Sequence, residues 1–330
     1  MRRRLAAMLL SALALLSTFG QAGDSWGQTK IARVGILSSV IGGSTDATVQ
    51  FYESFRRTLA QHGWIEGKNV SFEYRSARGD PPQFADPAAE LVRLEVDVIY
   101  TENAPATRAA YAATRTIPIV AIDFTNDPVA AGYAQSYSRP GGNLTGLFLD
   151  APEFAGKWLE LLKAMVPDLS RVAVLWDPSP GATHLQAVQA AAPSFGVKLQ
   201  VVEVRTSDDL DRAFSAFRGR PQALIILPSP LTYSQSARLA KLAIKHRLPA
   251  TSFTPAFAEA GGVIAYGPEL GSSVERVAVL VAKVLSGAKP ADLPVERPAK
   301  INLIVNLRAA KALGLTLPDS VLLRADRVIQ

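Results

Sequence analysis

Two polar clusters interrupt the stretch from Asp97 to Tyr133: Thr101-Glu102-Asn103-Ala104-Pro105 and Asp123-Phe124-Thr125-Asn126-Asp127-Pro128. Glu102 and Asp127 could pair with an ammonium group. Asn103, Thr125, Asn126 and free backbone N–H groups at helix starts could hold a carboxylate. Ser38 and Ser39 end an earlier apolar run in the same way. Further on, Asp177, Ser179, His184, Ser229, Tyr233 and Tyr266 occupy comparable places, and a tyrosine can cover an apolar or aromatic ligand group. These thirteen residues form the expected ligand-binding set. Every one competes with a structural role. Asp127 before Pro128 has the pattern of a helix N-cap followed by Pro at N1, and serines and threonines cap helices routinely.

The chemistry these residues suggest is binding. With no cysteine, the chain has no disulfide, thiolate metal site or thiol nucleophile. The three histidines are scattered. His62 and His246 fall near helix ends, where a positive charge suits the dipole. His184 follows Asp177-Pro178-Ser179-Pro180-Gly181 and is placed as a candidate ligand contact by position alone. No pair has metal-ligand spacing, so neither metal nor cofactor is expected. Gly63-Trp64-Ile65-Glu66-Gly67-Lys68 superficially echoes a phosphate loop. It is one residue short and Asn69 stands where Ser or Thr is needed, so it reads as a helix stop and a turn.

The elements that position these loops are strands and helices in alternation. Val98-Ile99-Tyr100 and Ile117-Pro118-Ile119-Val120-Ala121-Ile122 are continuous apolar runs, each followed by a polar loop and an Ala-rich helix. Apolar strands alternating with helices predict a parallel sheet covered on both faces, with ligands at the carboxyl edge of the strands. Ala32 to Leu37 is a first strand and Val70 to Tyr74 a second. Between them a Gly/Ser/Thr-rich loop, Val40 to Thr48, leads into a helix with Phe51, Phe55 and Leu59 on one face. Pro81 and Pro82 punctuate a loop before a helix from Pro87 to Leu94. The turn Arg139-Pro140-Gly141-Gly142-Asn143 precedes a strand from Leu144 to Leu149.

This pattern repeats. Arg171-Val172-Ala173-Val174-Leu175 echoes Arg33-Val34-Gly35-Ile36-Leu37, and strands at Val197, Ala223, Leu248 and Gly262 follow the same sequence of elements. Two copies predict two similar α/β lobes, each doubly wound and Rossmann-like, with facing strand ends and a cleft between them. The tail adds a helix marked by Val274, Val277, Val281 and Val284, a proline-spaced linker, a strand Ile301 to Val305 and a short helix Leu307 to Leu313. Such extra elements predict interleaved crossovers. The expected first lobe is 31–149 plus about 268–288, and the second is 150–267 plus about 293–330. Several crossovers make a hinge that can close on a ligand.

Residues 1–22 read as a leader: Arg2-Arg3-Arg4, an apolar run from Leu5 to Leu16, and Gly20-Gln21-Ala22 as a cleavage pattern. The apolar run is shorter than the ~20 residues a membrane span needs. Residues 23–30 read as the mature terminus. Cleavage near Ala22 leaves 32 basic against 29 acidic residues, a net charge of +3, which is an ordinary surface and not a nucleic-acid-binding one. The expected location is periplasmic.

The order of short motifs along the chain resembles the ABC-transporter substrate-binding proteins related to the tryptophan/aromatic amino acid binding proteins. The residues that carry it are Arg33 to Leu37, Phe55 through Gly63 with Gly67 to Val70, Ala89 to Arg93 into Asp97-Val98-Ile99, and Ile117 to Val120. Others are Asp127-Pro128-Val129, Arg139 to Gly146, Arg171 to Leu175, Ala260-Gly261-Gly262, Tyr266-Gly267-Pro268 and Gly287 to Val295. The resemblance implies the type I periplasmic binding protein fold, a small-molecule ligand such as an amino acid or derivative, a membrane permease as partner, a monomer and no catalysis. One departure stands out. Where this family often has Gly followed by Thr or Ser after the Asp97-to-Tyr100 strand, this chain has Thr101-Glu102-Asn103. A carboxylate there attracts a cationic ligand group and repels an anionic one.

Three function classes compete. The first is an exported solute-binding protein that delivers a polar or zwitterionic metabolite to an ABC importer by hinge closure. The second is a ligand-sensing protein that presents its closed form to a membrane receptor. The third, an exported α/β enzyme, needs a nucleophile–base pair or metal cluster that the spacing does not offer. A repressor with this fold would need a helix-turn-helix before Ile31, where the leader stands instead.

Overall fold

Strand order carries the internal repeat. In the computed structural model, which describes residues 31–39, 46–77, 83–149, 151–217 and 220–330, the chain builds two sheets. The expected leader and mature terminus (1–30), loop residues 40–45 and Pro81–Pro82 lie outside the described residues. In the first sheet, β1 (Ala32–Ser38), β2 (Val70–Ser76), β3 (Val98–Thr101), β4 (Ile119–Asp123) and β5 (Leu144–Phe148) are parallel, in the order β2-β1-β3-β4-β5. In the second, β6 (Arg171–Trp176), β7 (Lys198–Glu203), β8 (Ala223–Ile226), β9 (Ala250–Ser252) and β10 (Ile264–Pro268) repeat it as β7-β6-β8-β9-β10. The second sheet then gains β11 (Ile301–Asn306), antiparallel on β10, and β12 (Arg327–Ile329), parallel to β11.

The central strands are buried along their length because helices cover both faces. The edge strand β7 mixes half-buried and exposed residues, as an edge position permits. Helix α1 (Asp46–Gln61) buries Phe55 and Leu59 as its spacing predicts, but Tyr52 takes the third core place and Phe51 is only half-buried. Phe55 stacks on Tyr100 of β3 at 5.0 Å between ring centroids. Helix α2 (Ala85–Arg93) and helix α3 (Ala104–Ala113) cover the other face. The Gly63–Asn69 segment is a turn. Asn69 accepts from the Ile65 N–H at 2.7 Å and donates to the Gly63 carbonyl at 2.8 Å.

The chain leaves the first sheet after β5 for helix α4 (Ala151–Met165), whose Trp158 indole donates to the Tyr266 carbonyl at 3.1 Å. Helices α5 (Thr183–Ala191), α6 (Asp209–Ala216), α7 (Pro230–Ser234), α8 (Ser236–Lys245) and α9 (Pro255–Glu259) belong to the second sheet. Helix α10 (Leu270–Leu285) then returns and packs on α1 and on β3, β4 and β5, burying Val274, Val277 and Val281.

Leu293–Glu296, expected with the second lobe, instead runs beside β5. Val295 donates to the Tyr137 carbonyl at 2.8 Å, and Glu296 donates to the Gly146 carbonyl at 2.9 Å. Gly146 has φ 146°, and a Cβ there would meet the Ala121 carbonyl at 2.0 Å, so only glycine fits this close approach. The chain rejoins the second sheet at β11 and continues through helix α11 (Leu307–Ala312), helix α12 (Asp319–Leu322) and β12. The last two elements are too short for periodicity to reveal.

Ala32–Gln330 is one compact unit. An apolar cluster runs from the α1 face of the first sheet to the second, joined by Phe124, Phe154 and Phe253 with ring centroids 6.0 Å apart. Among the described residues no helix is long and apolar enough to cross a membrane.

Candidate functional site

Parallel strands put the loops after β1, β3 and β4 on one edge. Ser38 and Glu102 follow the paired residues Leu37 and Thr101, so they lie side by side. By the two-residue period of a strand, Glu102 shares the face of Tyr100, beneath α1. The Ser38 hydroxyl donates to Glu102 Oε2. The other oxygen, Oε1, is shielded from solvent and has no hydrogen-bond partner among the described residues; the same holds for the Tyr100 hydroxyl. Burial pushes the Glu102 carboxyl up to about 7, while the Ser38 and Tyr52 hydroxyls pull it back. The phenols of Tyr52 and Tyr100 are raised in turn, first by burial and then by the Glu102 charge.

Tyr233 stands at the corresponding strand-end edge of the second sheet. It sits on α7, after β8, and is 46% accessible. Its phenol is raised, by burial and then by the Glu102 charge.

The other predicted residues are occupied locally. Asn103 caps α3, accepting from the Ala106 N–H at 3.0 Å, and its amide donates to the Ser39 hydroxyl at 3.0 Å. Thr125 and Asn126 turn inward. Asp123, buried at the end of β4, accepts from the Thr125 N–H and hydroxyl at 3.0 and 2.8 Å and from the Asn126 N–H and amide at 3.1 and 2.8 Å. Asp127 accepts from the Val129 and Ala130 N–H groups at 2.8 Å each and from the Tyr137 hydroxyl at 3.2 Å. It closes a turn over 128–132; the Ala-rich helix expected after β4, with Asp127 as its N-cap, does not form there. Asp177 accepts from the Ser179 N–H at 2.9 Å and hydroxyl at 2.8 Å. Ser229 and Thr232 form a reciprocal capping box.

Two predicted residues belong elsewhere. His184 is buried between Trp158 and Phe253, and its Nε2 lies 2.7 Å from the Phe124 carbonyl. Burial holds its imidazole down at about 4, so it is neutral and joins the two halves through the aromatic cluster. Tyr266 packs on Phe154 at 5.3 Å, and the charges that act on it are Glu153, Arg324, Glu160 and Asp326, none of them in the strand-end loops.

Sequence reasoning missed Tyr52, Tyr100, Asp123 and Arg108. Arg108 donates from Nη2 to the carbonyls of Ser179 and Pro180, both at 3.1 Å, across from the first sheet to the second. Its place on a helix face carries no local signal. Asp123-x-Thr125 and Asp177-x-Ser179 do share a side-chain turn pattern that could have exposed the Asp123 role. A cavity of about 600 Å³ lies elsewhere, between α1, α10 and residues 296–299, and shares no residue with the predicted set.

The site therefore offers a cation one enclosed carboxylate oxygen, ringed by phenols, at the carboxyl edge of a parallel sheet. The sequence profile described as ABC transporter substrate binding protein matches residues 33–329. The chain belongs to this family. Its fold is that of type I periplasmic binding proteins. A tyrosine-binding protein from Clostridioides difficile is 27% identical over 269 residues, covering 80% of this chain and 76% of that one. A conserved domain protein from Vibrio cholerae superposes with a TM-score of 0.82 at 27% identity, over 91% of this chain and all of the other. An ABC domain from Streptococcus pneumonia, solved in complex with L-Trp, superposes with a TM-score of 0.81 at 24% identity, over 90% of this chain and 99% of that one.

Proposed function

We propose that this family member is an exported solute-binding protein of an ABC importer, and that its two lobes close on a small metabolite carrying an ammonium group. Glu102 carries this reading. A carboxylate enclosed at the strand-end edge, with Oε1 unpaired, is stabilised by a cation that supplies the missing hydrogen bond. Tyr233, from the other lobe, stands after β8 at the strand-end edge, and a tyrosine there suits an aromatic or apolar ligand group. The tyrosine-binding relative and the L-Trp complex support amino acids as the ligands to test first. The leader read from residues 1–22 supports export to the periplasm, and a membrane permease is the partner that family membership points to.

Thermal shift and isothermal titration calorimetry test this with L-tyrosine, L-tryptophan, L-phenylalanine and L-leucine, each beside its deaminated acid. At least one amino acid should raise the melting temperature as mass action requires, and its deaminated acid should not. Glu102→Gln should weaken binding of that amino acid by about tenfold or more. Equal binding of the deaminated acid would remove Glu102 as the counter-charge. No shift with any compound would remove the ligand class.

A further inference from the structure

We propose that Arg108 is a clasp that sets lobe closure, and hence affinity, from outside the ligand pocket. The inference rests on the reading of the chain as a binding protein that closes. Arg108 projects from α3 of the first lobe, and one guanidinium nitrogen meets two carbonyls of the second, Ser179 and Pro180. Both sides of the contact are braced. On the first-lobe side, burial raises the Tyr133 phenol and the nearby Arg108 charge lowers it. On the second-lobe side, Asp177 holds Ser179 by its N–H and its hydroxyl. The Gly181 N–H donates to the Pro178 carbonyl at 3.0 Å, and the Trp176 indole donates to the Gly181 carbonyl at 3.2 Å. The carbonyls that Arg108 meets are therefore part of a rigid loop.

A second approach lies beside the clasp. Gly181 has φ 121°, and a Cβ built there would stand 3.5 Å from Asn126 Oδ1. Asn126 is itself pinned by Asp123 through its N–H and amide. Two loops, each built on a buried aspartate, thus come together with Arg108 beside them.

The clasp differs from the hinge-side contact in its exposure to water. His184 and the Phe124 carbonyl meet inside an aromatic cluster, whereas Arg108 is exposed, so water replaces its partners when the lobes part. A contact of this kind biases an equilibrium without locking it. Apparent affinity scales with the population of the binding-competent state, so a clasp that touches no ligand changes every ligand's affinity by the same factor.

Arg108→Ala and Arg108→Lys test this against L-tyrosine and L-tryptophan by calorimetry, with small-angle X-ray scattering on the ligand-free proteins. Arg108→Ala should weaken both ligands alike, by about two- to tenfold, with their ranking unchanged. Its ligand-free radius of gyration should exceed that of the wild type. Arg108→Lys, with a point charge in place of a fork, should recover part of both effects. Superimposable scattering with unchanged affinities would overturn the proposal, and so would a loss confined to one ligand, which would place Arg108 in the pocket. If the wild type binds neither ligand, the proposed ligand class falls and the scattering comparison still decides the clasp.

Discussion

Asp123 and Glu102 stand at the ends of neighbouring strands, both enclosed, both with carboxyls pushed up by burial, and they do opposite things. Asp123 receives four hydrogen bonds, all from residues two and three places further along the chain. Its cost of burial is offset by its own loop, which supplies a donor to each carboxylate oxygen. Glu102 receives a hydroxyl from Ser38, 64 residues away, and among the described residues its Oε1 has no partner. A buried carboxylate saturated by local donors holds a loop in shape. One left short of a donor at a strand-end edge is matched to a group that arrives from outside.

The largest effect is expected at Asp123. Asp123→Ala strands two half-buried N–H groups and two side-chain donors, and should cost about 3 kcal/mol in urea unfolding. A variant that keeps its stability and loses only binding would make Asp123 a ligand residue and erase the contrast.

Glu102→Gln should do the reverse, weakening amine binding while leaving stability unchanged or higher, because it removes a buried charge whose Oε1 has no partner among the described residues. The sign shows in pH. The Glu102 carboxyl moves from 4.5 up to about 7 on folding, so its contribution to stability is fully present below 4.5 and is lost as pH rises through 7. The variant should therefore gain on the wild type from pH 4.5 to 8, by at most about 3 kcal/mol. His184 runs the other way. With its imidazole held at about 4, its contribution is present above 6.5 and is lost as pH falls toward 4. Removing Glu102 should uncover that acid limb in a series of denaturation curves.

The smallest effect sharpens the comparison from the Asp123 side. Asp127 saturates two backbone N–H groups, so Asp127→Ala should cost about 1 kcal/mol with no change in ligand affinity. A change in affinity measured by calorimetry would return Asp127 to the binding set.

The fold was largely legible because its signals are local and repeated. Apolar runs such as Val98–Tyr100 and Ala223–Leu227, each followed by a loop and a helix, determine strand, parallel pairing and covered faces within a few dozen residues. The echo of Arg33–Leu37 in Arg171–Leu175 determines that this happens twice. The caps at Asn103 and Ser229 were legible as structural alternatives for the same reason, whereas the helix expected after Asp127 is only a turn. Which polar residue remains open was decided by tertiary structure alone. Glu102 draws its partner and neighbours from β1, α1 and the second lobe, and Arg108 finds its acceptors 71 and 72 residues away. A sequence names donors and acceptors, but which of them are saturated depends on what the fold brings within about 3 Å. Glu102 was marked by its departure from the family pattern; that its Oε1 has no partner among the described residues could be seen only once the strands were side by side.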